Sequence, residues 1–299
     1  MHTKAKGQSM DTLCGLFGKR RQAYYKKKKY STVEAFQSEV MLQMIAHERK
    51  LMPRLGGRKL YFKIRPKLPK DLQMGRDKFF TFLRQNNLLV RRKRYRAITT
   101  MSSHWLRKYP NLVKDFVPSG PHQLWVSDIT YVETSEGFVY LFLITDAYSR
   151  KVVGWSLSKN LGATNAITAL HMALSQLPTG ATSLFHHSDR GVQYCSSKYV
   201  KILKKDGISI SMTENGDPLE NAVAERINGI LKTEWINEIK PKSIKDAIFQ
   251  IRAIIDIYNS ERPHSSIEML TPEQAHLEKR PLKRLWKNYY KIKQEECHI

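Results

Sequence analysis

Three acidic residues lie in segments where an ionised carboxylate is either costly or well placed for chemistry. Asp128 interrupts the apolar run 124–132, where a charge without compensation is unfavourable. Asp189 ends the β-like segment SLFHHSD, and α/β folds place their chemistry at the ends of strands. Glu225 lies in the helical segment NAVAERINGILKTEW. Each has an ordinary explanation as well: a salt bridge or structural hydrogen bond for Asp128, a turn for Asp189 and a solvated helix face for Glu225.

The spacing of the three carboxylates favours a shared site over three separate roles. Sixty residues separate Asp128 from Asp189, and thirty-five separate Asp189 from Glu225. Carboxylate oxygens are hard ligands that suit Mg²⁺ or Mn²⁺. Two such ions about 3.5–4 Å apart can clamp the attacking and leaving oxygens of a phosphoryl transfer. Three carboxylates of this kind are what that chemistry requires.

The predicted helix around Glu225 has a polar face and an apolar face. At 3.6 residues per turn, Asn221, Asn228 and Lys232 fall within roughly 60° of Glu225. The residues on the far side are apolar and suit a core: Val223, Ile227, Ile230 and Leu231.

The elements that must position these residues follow an α/β plan. Segments rich in β-branched and aromatic residues predict three consecutive strands, at 124–132, 138–145 and 152–157. Further along, strands are predicted at 183–187 and 208–212, and helices at 163–177, 197–205, 220–235 and 243–258. A Thr cap, a Pro and a Gln at 271–274 begin one more helix. This order predicts a mixed sheet flanked by helices.

The first 120 residues differ from the rest of the chain in charge. They contain 29 Lys and Arg against 7 Asp and Glu, a net of +22, whereas the remainder contains 22 against 20. So basic a segment usually contacts a polyanion. We interpret the lysine run 26–29 as a solvated linker.

Helical apolar spacing recurs within this basic part, at 39–52, 57–64 and 77–86. Short helices joined by glycine-containing turns favour a helix-turn-helix module over a small bundle that binds nothing. The module ends in four candidate DNA contacts: Arg91, Arg92, Lys93 and Arg94.

Several classes of protein are disfavoured. Cys14, Cys195 and Cys297 are far apart and odd in number, so they predict neither a disulfide framework nor a zinc knuckle. The first residues contain no apolar signal segment, and no stretch approaches 18 apolar residues. We therefore expect a cytoplasmic protein without a membrane partner.

The motifs WVSDITYV, HHSDRGVQY and NAVAERINGILKTE resemble the Asp, Asp, 35-residue gap, Glu (DDE) signature of retroviral integrases. They are most similar to the orfB-type, second-reading-frame subunit of bacterial insertion-sequence transposases. YNSERPHSSIEMLTPEQ resembles that group's C-terminal signature, and ITDAYSRKVVGWSLS resembles its second and third core strands. LCGLFGKRRQAYY and GRDKFFTFLRQNNLLVRRKR resemble its N-terminal segment and helix-turn-helix, so the resemblance covers nearly the whole chain.

The resemblance implies an RNase H-like mixed sheet with flanking helices, preceded by an all-α helix-turn-helix region. It divides the chain into a basic DNA-binding region, a linker, an integrase-like catalytic core and a basic tail, which we place at 1–94, 95–120, 121–280 and 281–299. Asp128, Asp189 and Glu225 would be catalytic metal ligands for Mg²⁺ or Mn²⁺, with two ions expected. Lys232 would contact DNA near the scissile phosphate.

The implied activity is metal-dependent cleavage of DNA ends, followed by strand transfer into target DNA. The substrate would be double-stranded DNA with terminal inverted repeats, bound by a homo-oligomer. The group often acts fused to an upstream-frame subunit, and this chain shows no leucine heptad, so an upstream partner is a further expectation. The expected location is the bacterial cytoplasm, in association with the nucleoid.

Other tempting residues have structural interpretations. We expect Asp146 to serve a turn, His186 and His187 to pack or support the site, and His264 to make a structural hydrogen bond.

Three competing functions remain open at this point. A non-enzymatic DNA-binding regulator explains the basic N-terminal part but not the acidic spacing. A nuclease of the same fold that only hydrolyses shares the acidic residues, so the sequence discriminates poorly between the two. A decayed copy is disfavoured by the intact acidic residues.

Overall fold

The computed structural model describes residues 9–90, 104–178, 183–214 and 221–283, apart from the side chains of 29–32. The helices of these ranges are α1 (Met10–Leu16), α2 (Arg21–Leu51), α3 (Gly57–Ile64), α4 (Arg76–Gln85), α5 (Ala163–Leu174), α6 (Val192–Cys195), α7 (Ser197–Lys205), α8 (Ala222–Glu234), α9 (Ile244–Glu261) and α10 (Pro272–Leu277). None of them is long and apolar enough to cross a membrane.

Five strands of the described residues form one sheet. They are β1 (Leu124–Thr134), β2 (Gly137–Asp146), β3 (Val152–Ser158), β4 (Phe185–Ser188) and β5 (Ser209–Met212). Their order is β3-β2-β1-β4-β5. The first three strands pair antiparallel, while β4 and β5 join in parallel. This mixed, RNase H-like sheet with flanking helices confirms the predicted fold class.

Each face of the sheet has its own apolar core, because side chains alternate across a strand. On one face, Trp125, Phe142 and Ile144 pack with residues of α5 and α7. On the other, Leu141 and Leu143 pack with residues of α8 and α9. The close fit of β3 against α5 depends on a glycine in the strand, Gly154.

The N-terminal helices share the second of these cores. Buried residues of α2, α3 and α4 belong to the same apolar cluster as those of α8 and α9. Polar contacts reinforce this packing: the indole N–H of Trp235 donates to the carbonyl of Leu51 at 2.7 Å, and Arg54 pairs with Glu238 at 3.1 Å. The boundaries at 94 and 120 stay a prediction.

The structure corrects the interpretation of the lysine run 26–29 as a solvated linker. The run lies inside α2, a helix of 31 residues, and not in a linker. Lysine has good helix propensity, and the later turns of α2 anchor the helix by burying Met41 and Ile45. Apolar periodicity predicted the buried half alone, because the earlier turns are largely exposed.

The remaining predicted elements agree with the structure to within a few residues. The capped start at Thr271 is confirmed: its side chain accepts from the backbone of Gln274, whose side chain accepts in return from the backbone of Thr271. The short helix α6 was not predicted, because four residues carry no periodic signal.

Candidate active site

Strand pairing brings Asp128 and Asp189 side by side. Ser127 of β1 is aligned with Ser188 of β4 in parallel register, and each aspartate is the next residue along its chain. Asp128 still lies within β1, whereas β4 ends before Asp189. Two carboxylates far apart in sequence therefore lie side by side, where β4 ends next to the central strand β1.

Helix α8 is fastened to β1 by two asparagine amides. Asn221 donates to the carbonyl of Ser127 at 3.0 Å, and Asn228 donates to Oδ2 of Asp128 at 2.6 Å. Glu225 lies between these asparagines on the same face of the helix and is exposed. The polar face predicted from the sequence is thus the face that meets Asp128.

Burial and the acidic neighbours together raise the pKa of the Asp128 carboxyl group. Loss of hydration raises its pKa most, and the negative charge of Asp189 raises it further. Hydrogen bonds from the Ile129 backbone N–H, at 2.8 Å, and from Asn228 oppose this, while Glu225 adds to it. The resulting pKa is about 7. Asp189 and Glu225 therefore both oppose ionisation of Asp128.

Asp189 is held by the loop that follows it. Its Oδ1 accepts a hydrogen bond from the backbone N–H of Gly191 at 3.0 Å. A Cβ at position 191 would lie 3.0 Å from that same oxygen, so glycine leaves room for the carboxylate.

Tyr194 is a neighbour of the site that sequence reasoning missed. It is buried, and its hydroxyl has no hydrogen-bond partner among the described residues. Burial and the charges of Asp189 and Asp128 raise the pKa of this hydroxyl. The signal available in the sequence was its place in the motif HHSDRGVQY, five residues after the aspartate.

Lys232 lies at the same site, as its position on α8 suggested. Its ammonium stands 3.5 Å from the ring centre of Tyr131 on β1, a cation–π arrangement. Partial burial lowers the pKa of Lys232, while the charge of Asp128 raises it. The other candidate DNA contacts, Arg91, Arg92, Lys93 and Arg94, lie outside the described residues.

Two histidines, His186 and His187, fasten the strand that leads to Asp189. His186 is buried and hydrogen-bonds Ser127 and Tyr199, both at 2.8 Å, and burial lowers its pKa to about 3. His187 hydrogen-bonds Ser211 at 2.9 Å. Both histidines therefore lock β1, β4, β5 and α7 together, as the packing interpretation predicted.

The structural interpretations of Asp146 and His264 are confirmed too. Asp146 accepts hydrogen bonds from the backbone of Tyr148 and Ser149 in the turn after β2, and from the backbone of His122. Nη1 of Arg262 donates a hydrogen bond to Nε2 of His264 at 2.8 Å.

The acidic residues do not form a closed cage. In the ranges that the structure describes, no three His, Cys, Asp or Glu side chains converge closely enough to enclose a metal ion. The geometry provides an open acidic site, which is fixed by β1, β4 and α8.

Comparison with known proteins identifies the family. Two models of the integrase core domain match the chain, over residues 118–218 and 206–272. The insertion element IS600 31 kDa protein of Shigella sonnei is 34% identical over 266 residues, covering 87% of this chain and 96% of that protein. Transposase InsF of insertion sequence IS3A from Escherichia coli K12 is 37% identical, covering 64% of this chain and 67% of its own length. The chain is an insertion-sequence transposase with an integrase core.

The transposase also aligns with a solved viral structure, the HTLV-2 integrase catalytic core domain in complex with magnesium. That alignment has 20% identity and a TM-score of 0.42, and it covers 52% of this chain and 97% of the other. The predicted family is confirmed by the sequence matches. As a member of that family, the transposase acts on DNA in insertion-sequence transposition.

Proposed function

We propose that Asp128, Asp189 and Glu225 are the catalytic carboxylates of the transposase and that they hold two divalent cations, Mg²⁺ or Mn²⁺. The observation that carries this proposal is the strand register that sets Asp128 beside Asp189, together with the hydrogen bond from Asn228 that fastens the helix of Glu225 to Asp128. Lost hydration and the two acidic neighbours raise the pKa of Asp128 in this arrangement. A site that keeps like charges together without compensation is unfavourable, and bound cations would remove the repulsion.

The donor set suits these ions, since all three side chains offer hard oxygen ligands. Because the carboxylates form an open site and not a closed cage, ion binding would draw them closer together. The bound cations would supply charge neutralisation at the phosphate that reacts.

The chain itself supplies positioning. Backbone N–H groups of Ile129 and Gly191 each fix one carboxylate oxygen, on Asp128 and Asp189 respectively. The amide of Asn228 fixes the second oxygen of Asp128. Carboxylates restrained in this way lose less orientational freedom when they bind a ligand. Lys232 adds a positive charge on the same face of α8, within reach of a DNA phosphate.

The proposed reaction has two steps at the end of the element. A water oxygen bonds to the phosphorus and the water gives up a proton. The bond from phosphorus to the 3′ oxygen of the element breaks, and this 3′ oxygen takes up a proton. The flanking DNA keeps the 5′ phosphate, and the element keeps a 3′ hydroxyl. This hydroxyl then attacks a target phosphodiester and loses its proton, while the target's own 3′ oxygen leaves and is protonated.

The DNA partners follow from the family and from the charge distribution. We propose double-stranded element ends with terminal inverted repeats and a separate target DNA as substrates, bound by a homo-oligomer, with an upstream-frame subunit as a further partner. The net charge of +22 in residues 1–120 supports phosphate contacts by the N-terminal part. Four of these positive charges come from the candidate DNA contacts Arg91, Arg92, Lys93 and Arg94.

A strand-transfer assay tests the proposal. Labelled end-containing duplex and a target plasmid are incubated with the full chain in Mg²⁺, in Mn²⁺ and in chelator. We expect cleavage and joined products with either metal and none in chelator. Asp128→Asn, Asp189→Asn and Glu225→Gln should each abolish both products.

The matched control is Glu133→Gln, which removes an exposed carboxylate from the same strand as Asp128. This variant should retain both products. Full activity in chelator, or in any of the three site variants, would contradict the assignment. Hydrolysed products without joined ones would instead identify a nuclease.

A further inference from the structure

A cavity of about 530 Å³ lies on the opposite side of α8 from Asn228. It is bounded by α3, α8 and the segment 262–266, and the apolar residues Val223, Ile227 and Ile230 form part of its wall. The polar residues that line it are Lys59, Arg150, Arg226, Arg262, His264, Ser265 and Ser266. No part of the mechanism proposed above uses this cavity.

The charge of the cavity is strongly positive. Four of its lining side chains are cationic, and none is acidic. The nearby carboxylate of Glu234 is held by Arg262 through two hydrogen bonds, of 2.6 and 2.8 Å. That pairing offsets the charge of Arg262, while Lys59 and Arg226 add positive charge to the wall of the cavity.

Lys59 shows the consequence of this crowding. Partial burial lowers its pKa most, and the positive charges of Arg262 and Arg226 lower it further, whereas Glu234 raises it. The resulting pKa is about 8. A cation held among cations in a recess is unfavourable, and an anion in the cavity would relieve it.

We propose that this cavity binds a phosphate group of the DNA backbone. Arginine presents a planar fork that matches phosphate oxygens, and the two serine hydroxyls can donate to the same group. The volume lies within the range of sites that hold small ligands, so a phosphate and part of its sugar can enter.

The cavity and the proposed catalytic site lie on two different faces of the same helix, α8. Glu225 and Arg226 are consecutive residues of α8, one on the face that meets Asp128 and the other at the cavity. Arg226 is exposed, so the cavity can be reached from solvent. A DNA end lying across the start of α8 would thus meet the carboxylates on one side and the cationic cavity on the other. The inference rests on the proposed function only in taking DNA as the source of the phosphate.

Salt-dependent DNA binding tests this inference. The full chain, Lys59→Gln, Arg226→Gln and the control Arg252→Gln are titrated with end-containing duplex in chelator at several salt concentrations. Arg252 is an exposed arginine of α9 that does not line the cavity, so the control removes the same charge. Each phosphate contact contributes about 0.9 to the log–log slope. We expect both cavity variants to lose about 0.9 in slope and the control to lose much less.

Equal slopes for Arg226→Gln and Arg252→Gln would overturn the proposal. A second measurement identifies the source of the phosphate: the melting temperature in inorganic phosphate against chloride at constant ionic strength. If phosphate stabilises the wild type and not Arg226→Gln, while the DNA slope of that variant is unchanged, the cavity takes a free anion and the DNA assignment is wrong. Chelator keeps these results independent of the catalytic carboxylates.

Discussion

The side-chain amide of Asn228 donates a 2.6 Å hydrogen bond to Oδ2 of Asp128, across 100 residues of sequence. The bond joins α8 to the central strand β1 and fixes the helix that carries Glu225 beside the aspartates. The other amide atom of Asn228, Oδ1, is buried without a hydrogen-bond partner in the described ranges. Asn228 is therefore a positioning residue for the carboxylate.

Replacing Asn228 by alanine should lower end cleavage and change its pH dependence. In the wild type, the hydrogen bond from Asn228 lowers the pKa of Asp128. Without this bond the pKa should rise, so less of the ionised carboxylate should be available at neutral pH. We expect a loss of about 10–100-fold, the usual effect of removing a group that orients a metal ligand. The loss should shrink at alkaline pH.

The measurement is the cleavage rate between about pH 6 and pH 9. Asn237→Ala, an amide beyond the end of α8, serves as the control. A uniform loss at every pH would indicate a structural role alone.

Replacing Asp128 by asparagine should stabilise the metal-free protein at alkaline pH. The folded-state pKa of Asp128 is raised from 3.8 to about 7, so between these values the folded protein holds a proton that the unfolded chain has released. The stability contributed by this group falls as pH rises through that window and stays low above it. At 1.36 kcal/mol per pKa unit, the gain of Asp128→Asn at pH 8 is up to about 4 kcal/mol.

Denaturant unfolding in chelator checks this prediction. An asparagine can accept from Ile129 and, once the Asn228 amide turns over, donate to Oδ1 of Asn228, so the replacement keeps both contacts. The gain should vanish towards pH 4, and Glu133→Gln should show none. Lower stability of Asp128→Asn at pH 8 would show that the acidic site is not repulsive.

Removing the charge of Lys232 should weaken DNA cleavage without unfolding the protein. A hydrogen bond to a charged group contributes about 1.5–3 kcal/mol, so Lys232→Ala should lose roughly ten-fold or more in cleavage at limiting DNA. Lys232→Arg should retain part of the activity. The exposed Lys245 of α9 provides the control. An unchanged cleavage rate in Lys232→Ala would remove this residue from the site.

Adding a methyl group at position 191 should disturb Asp189. The new Cβ would lie 3.0 Å from its Oδ1, so the carboxylate must shift. We expect Gly191→Ala to lose most of its cleavage activity at an almost unchanged melting temperature. Gly56 is a matched control, because it caps α3 with nearly the same backbone angles and has open space around it. Equal activity of the two variants would contradict the prediction.

The contact between β3 and α5 should be intolerant of any side chain at Gly154. A Cβ there would overlap the carbonyl oxygen of Ala169 and lie 3.0 Å from Cβ of Ala173. Overpacking of this kind costs about 1–3 kcal/mol or more, so Gly154→Ala should lower the free energy of unfolding by at least that amount. Gly229→Ala, in open space on α8, should instead stabilise the protein by about 0.5–1 kcal/mol. Equal stabilities would show that β3 can move away from α5.

Local patterns in the sequence determined much of this protein. Alternating and helical apolar spacing predicted the strands and helices of the core, since burial of one face is written in the periodicity. The spacing of Asp128, Asp189 and Glu225 suggested one site, and helical geometry placed Asn228 and Lys232 on the face of Glu225.

Contacts between distant segments were decided by the tertiary structure alone. Parallel register sets Asp128 beside Asp189, and the bond from Asn228 holds α8 against them. The cationic cavity needs α3 to pack beside α8 and the segment after α9. A helix exposed on most of its surface, such as the start of α2, leaves no apolar period to read. Sequence periodicity reports which face of an element is buried, but not which element buries it, and charges become a site only when the chain brings them together.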